Sequence, residues 1–65
     1  MPNNRIPVIQ RVARSVRQGA MIDVYALVDE IRHEFPGVSR AELERIVSEE
    51  VVIAHANAVW EHRET

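Results

Sequence analysis

The apolar and polar positions of this chain repeat with helical period in three segments, and no stretch sustains the period-two alternation of a half-buried strand. In the first segment Val8, Ile9, Val12, Ala13 and Val16 fall on one arc, with Ile6 at its edge, while Gln10, Arg11, Arg14, Arg17 and Gln18 fall on the other. This predicts a helix over about residues 5–18, with Asn3 or Asn4 as its cap and Pro7 tolerated in the first turn. Gly19 then stands where a left-handed residue closes a helix. In the second segment Val24, Leu27, Val28, Ile31 and Phe35 form a narrow apolar stripe flanked by Tyr25 and Arg32. Behind an Asp23 cap it predicts a helix over about residues 23–35.

Between the second and third segments lies a sharp stop followed by a start. Pro36 cannot continue a helix and disfavours helical geometry at Phe35, and Gly37 is free to turn. Ser39 and Glu42 have the spacing of a capping box, and Val38 and Leu43 that of the matching hydrophobic staple. The third helix is expected over about residues 40–62, near 35 Å at ~1.5 Å per residue. Its main face reads Leu43, Ile46, Val47, Ile53, Ala54, Asn57, Ala58 and Trp60, with Glu50 at the edge. Val51-Val52-Ile53 has strand-like composition, but its neighbours on both sides favour helix. A second apolar line, Val52, Ala56 and Val59, follows only in the later half. The expected fold is therefore all-α: one small three-helix domain over 1–65, with a capped helix-turn-helix elbow and a flexible 1–4.

Size makes a partner chain attractive. Sixty-five residues bury a modest share of their unfolded surface, and domains this small often add a disulfide, a metal or another subunit. Cys is absent, which leaves association. The start, MPNNRIPVIQ, lacks the apolar core of a signal peptide, and no apolar run approaches the ~20 residues of a membrane span. A soluble cytoplasmic protein is expected. All eight basic residues are Arg, which reads as the codon bias of a GC-rich, bacterial genome.

Charge is segregated. The first twenty residues carry four Arg (Arg5, Arg11, Arg14, Arg17) and no acid; the rest carry four Arg and ten acids, within a net charge of −2. Such a split suits a basic arm for nucleic acid, helices of opposite sign packed together, or one chain's basic helix meeting another's acidic face.

Candidate chemistry is sparse. His55 and His62 are seven residues apart, about 10 Å along a helix, and Val59 between them cannot ligate. His33 lies on another segment, and HExxH and CxxC spacings are absent. Neither a metal nor a cofactor is expected. There is no Lys or Cys nucleophile, Ser15, Ser39 and Ser48 have no His at helical spacing, and so small a helical domain has little room for a substrate pocket. The chain reads as a non-enzyme without a small-molecule substrate. The first helix lacks Trp or Phe on its apolar side and the chain is acidic, which disfavours a membrane surface.

Two readings compete. In a helix-turn-helix DNA-binding protein the third helix would face bases with Arg40, Ala41, Glu42, Glu44, Arg45, Ser48 and Glu49, a set rich in acid that phosphates repel. Only the stripe Arg5, Arg11, Arg14 and Arg17 favours phosphate, or an acidic partner, so this is the runner-up. The preferred reading is a regulatory or adaptor protein that binds another protein or itself, a homodimer included, through Val52, Ala56, Val59 and Trp60. The alternative is that Val52, Ala56 and Val59 face the first helix in a wholly internal core. Phe35-Pro36-Gly37 with the helix after it resembles the Met-Phe-Pro turn of ubiquitin-binding CUE domains. Glu34 replaces the Met and the later di-Leu element is absent, so ubiquitin binding is not carried over. In general build, a tiny acidic helical chain resembles the short bacterial regulators that bind and mask a transcription factor.

Overall fold

A computed structural model describes residues 5–60. The expected caps Asn3 and Asn4, the expected flexibility of 1–4, the last part of the predicted third helix and His62 lie outside the described residues. The order is α1 (Arg5–Ser15), β1 (Met21–Asp23), α2 (Val24–Arg32), α3 (Arg40–Ile53) and β2 (Asn57–Val59). The chain is mostly helical with three helices, but the all-α expectation needs correction, because β1 and β2 form a parallel pair in which Met21, Ile22 and Asp23 face Asn57, Ala58 and Val59.

Helix α1 buries Val8 and Val12, and Val16 just beyond it is buried too. Ala13, assigned to the same arc, is exposed. The helix is shorter than the 5–18 expected. The chain leaves it through a turn in which the Ala20 N–H donates to the Arg17 carbonyl at 3.0 Å. Gly19 sits third in that turn at φ +80°, the left-handed value a type II turn needs there.

Helix α2 starts on Asp23, whose carboxylate accepts from the Ala26 N–H at 3.2 Å. It ends at Arg32 and not at 35, because Pro36 removes helical geometry from Phe35. The Glu34 and Phe35 N–H groups both donate to the Ile31 carbonyl, at 2.8 and 3.1 Å, closing the turn. Phe35 still packs on the core from outside the helix. Ser39 caps α3, its hydroxyl accepting from the Glu42 N–H at 3.2 Å. Glu42 does not complete the box; its carboxylate is taken up by Arg5 at 3.3 Å and Arg45 at 3.8 Å.

The largest departure is the end of α3, at Ile53 instead of about 62. Ala54 caps it, the His55 N–H donates to the Val52 carbonyl at 3.2 Å, and the Ala56 N–H donates to the Val51 carbonyl at 2.9 Å. This pair of bonds is a Schellman motif, with His55 in the left-handed position at φ +57°. Ala56 packs inward against the cluster that holds Val51, the apolar contact that accompanies such a stop. The two left-handed residues then meet: the Gly19 N–H donates to the His55 carbonyl at 3.1 Å, and the Asn57 N–H donates to the Ala20 carbonyl at 2.8 Å. The turn after α1 thus receives the chain as it leaves α3 and starts the parallel pair.

The core is wholly aliphatic: Val8, Val12, Val16, Ile22, Val24, Val28, Ile31, Leu43, Ile46, Val47 and Val51. Ile22 brings the strand pair into it, and among the described residues no polar side chain is buried.

Candidate protein-interaction surface

The arginine stripe of α1 is divided by the fold. Arg11 reaches across to α2 and beyond, 2.8 Å from Glu30 and 2.9 Å from Glu34, and also donates to the Ser15 hydroxyl at 2.7 Å. Hydrogen bonds to Glu34 and then Glu30 raise its guanidinium pKa above the ordinary value. Arg5 is paired to Glu42. Arg14 and Arg17 are exposed. The charge split therefore serves, in part, to lay a basic helix against acids of α2 and α3.

The positions a DNA-reading helix would present are also engaged with one another. Arg40 lies 2.6 Å from Asp29 and 3.2 Å from Glu44, with its Cζ 6.0 Å from the centre of the Tyr25 ring. The hydrogen bond from Arg40 holds the Asp29 carboxyl below its usual range and lifts the Arg40 guanidinium above its own. Arg45 lies 3.6 Å from Glu49 and 3.8 Å from Glu42. Exposed pairs of this kind contribute little to stability, because solvent and salt screen them. Their larger effect is to leave the α3 face without a cation free of neighbouring acids.

The four residues assigned to an interface are not one helical line. Because α3 stops at Ile53, only Val52 is on it, 74% exposed. Ala56 is half-buried in the turn, packed against the core. Val59 is half-buried in β2. Trp60 is 47% exposed and sets its ring edge-on to Tyr25, with centroids 5.5 Å apart and planes at 77°. The expectation of one continuous second face on a long helix is thus corrected, and its cause is the left-handed turn at His55. The internal-core alternative fails at Val52, which points to solvent.

Three exposed apolar residues were missed, among them Ile6 on α1, 58% exposed. Ile53, placed inside by the pattern, is 69% exposed. It sits on the edge of the apolar arc, as the last residue of α3. With Val52, Ser48 and Glu49 it lines a shallow apolar hollow at the exit of α3. Met21 is 72% exposed beside buried Ile22. That out–in step is the period-two signal of a strand, too short at three residues to register against helix.

Among the described residues no three of His, Cys, Asp and Glu come together to hold a metal ion. His33 and His55 are both exposed, on separate elements. No helix among the described residues is long and apolar enough to cross a membrane. Comparison with protein-family models, with curated proteins and with solved structures finds no match to this chain.

Proposed function

We propose that this chain is a non-enzymatic regulatory or adaptor module that acts by binding another protein through the exit of α3, in the manner of regulators that mask a transcription factor. The observation that carries the reading is the adjacent pair Val52 and Ile53, both mostly exposed on the last turn of α3 and lining one apolar hollow. Large aliphatic side chains grouped on the surface of a small domain are the usual mark of a binding site. Trp60 supplies a nearby aromatic in sequence, of the residue type that most often anchors an interface.

The test is capture of a native partner from extract with tagged protein, wild type against Val52→Asp/Ile53→Asp. Wild type should retain a protein that the double variant does not, at unchanged helicity by circular dichroism. Equal recovery by both sinks the reading.

A second reading, a helix-turn-helix protein that contacts phosphates, draws on the α2–turn–α3 arrangement and on exposed Arg14 and Arg17. It is disfavoured by the engagement of Arg11 and Arg5 with acids of the same chain. A gel shift on random duplex DNA at low salt separates the two, since each phosphate neutralised adds ~0.9 to the salt slope. No shift is expected.

A further inference from the structure

We propose that the exit of α3 takes a second copy of this chain, in a two-fold dimer where the outward side of α1 from each copy lies on the α3 exit of the other. The inference rests on reading the exit as a binding surface. It commits that surface to one occupant.

The argument is one of charge and shape. Ile6, Gln10, Ala13 and Arg14 share the outward side of α1 at ~100° per residue, and Arg17 follows in the turn beyond. All five are exposed, Ile6 by 58%. That side is positive, and the first twenty residues hold no acid to offset it. The α3 exit has the opposite character. Glu49 lines the hollow one turn before exposed Val52 and Ile53, with Arg45 of the same helix 3.6 Å from its carboxylate, and between Arg45 and Trp60 the chain has no Arg or Lys. Two exposed apolar side chains, Ile6 and Ala13, beside Arg14 and Arg17 on one surface thus meet an apolar hollow edged by Glu49 on the other. Within one molecule they stay apart, since α1 packs on the rest of the fold through its opposite side, Val8 and Val12.

Area argues for two contacts. A stable interface buries upwards of ~1,000 Å², more than one short helix resting on one helix end provides. A two-fold axis makes the same contact twice and closes the assembly.

The test is sedimentation of the full chain over a dilution series, with charge reversals on each side. Wild type should be a dimer that weakens with added salt. Arg14→Glu/Arg17→Glu places acid against acid, and Glu49→Arg places base against base, so each alone should weaken the dimer at least tenfold. Mixed together, the two variants restore both contacts, and a heterodimer should form where neither associates by itself. Where a reversal lowers helicity, Ala13→Glu reads the α1 side from a small exposed position, and it too should weaken the dimer. A monomeric wild type, species growing beyond the dimer, or a dimer indifferent to these substitutions overturns the proposal. Wild-type monomer with capture still lost in Val52→Asp/Ile53→Asp overturns the dimer and leaves partner binding standing. A salt-sensitive dimer that mixes as described, with no partner lost by that double variant, does the reverse.

Discussion

The two ends of α3 are built by opposite means. At its start, Ser39 caps the helix through its side chain, Val38 and Leu43 pack inward, and Pro36 has already stopped the helix before it. Each of these residues is chosen for that task, and the start is closed over by core. At its exit, the chain turns on His55, a non-glycine residue in the left-handed region, and the last turn leaves Val52 and Ile53 uncovered. The start is held by local chemistry. The exit is held by where the chain must go next, into hydrogen bonds with the turn at Gly19 and Ala20. The anchored end can carry stability, and the end with few apolar contacts is where the proposed recognition surface lies.

Substitutions should separate the two ends. Leu43→Ala empties a fully buried site beside the capped start and should cost ~2–5 kcal/mol, enough to unfold so small a domain. Ile53→Ala at the exit should change the monomer's stability, read by urea unfolding at high dilution, by less than ~0.5 kcal/mol, because in one chain the side chain is mostly in water already. Comparable losses at both positions would erase the contrast. Next in size, Ser39→Ala removes an acceptor for the Glu42 N–H and should cost ~1 kcal/mol in the same assay. Gly19→Ala, at the left-handed residue facing His55, should also lose ~1 kcal/mol, from backbone strain alone, since open space surrounds the added carbon. His55→Gly should go the other way. Relief of the left-handed strain outweighs the added freedom of the unfolded chain, for a gain of ~0.5 kcal/mol.

The smallest effect concerns the ion pair that ties α2 to the start of α3. Asp29 is held below its usual pKa chiefly by its hydrogen bond from Arg40. A depressed folded pKa contributes stability that is complete above the unfolded value, ~4, and is lost as pH falls through the lower folded one. Urea midpoints measured on acidification from neutral pH should therefore fall more steeply in wild type than in Asp29→Asn. Both partners are exposed and salt should blunt the difference. Parallel acid limbs would remove Asp29 from the account.

The elements whose signals are local are legible in the sequence. Val24, Val28 and Ile31 mark the inner face of α2 by spacing alone, Asp23 and Ser39 mark two helix starts by their side-chain oxygens, and Gly19 marks a left-handed turn. The exit of α3, and everything placed by it, is not legible in that way. No Gly or Pro stands between Ser39 and the C-terminus, so Ala54, His55 and Ala56 read as more helix. Val52, Ala56 and Val59 then line up on a face that does not exist, and Ile53 reads as buried. Of the candidate-site residues Val52 and Trp60 are exposed, but they do not share the one helix face on which the pattern grouped them.

By itself the sequence determined three helical segments and two capped starts, which rest on residues a few positions apart, and an uneven charge, which is read by counting. Only the tertiary structure decided where α3 ends, that Met21–Asp23 pairs with Asn57–Val59, and that Arg11 turns inward to Glu30 and Glu34. Those features depend on partners 19 to 37 positions distant, as in Arg11 to Glu30 and Ala20 to Asn57. Bonds across such separations form only once the intervening chain has folded, and no local pattern records them.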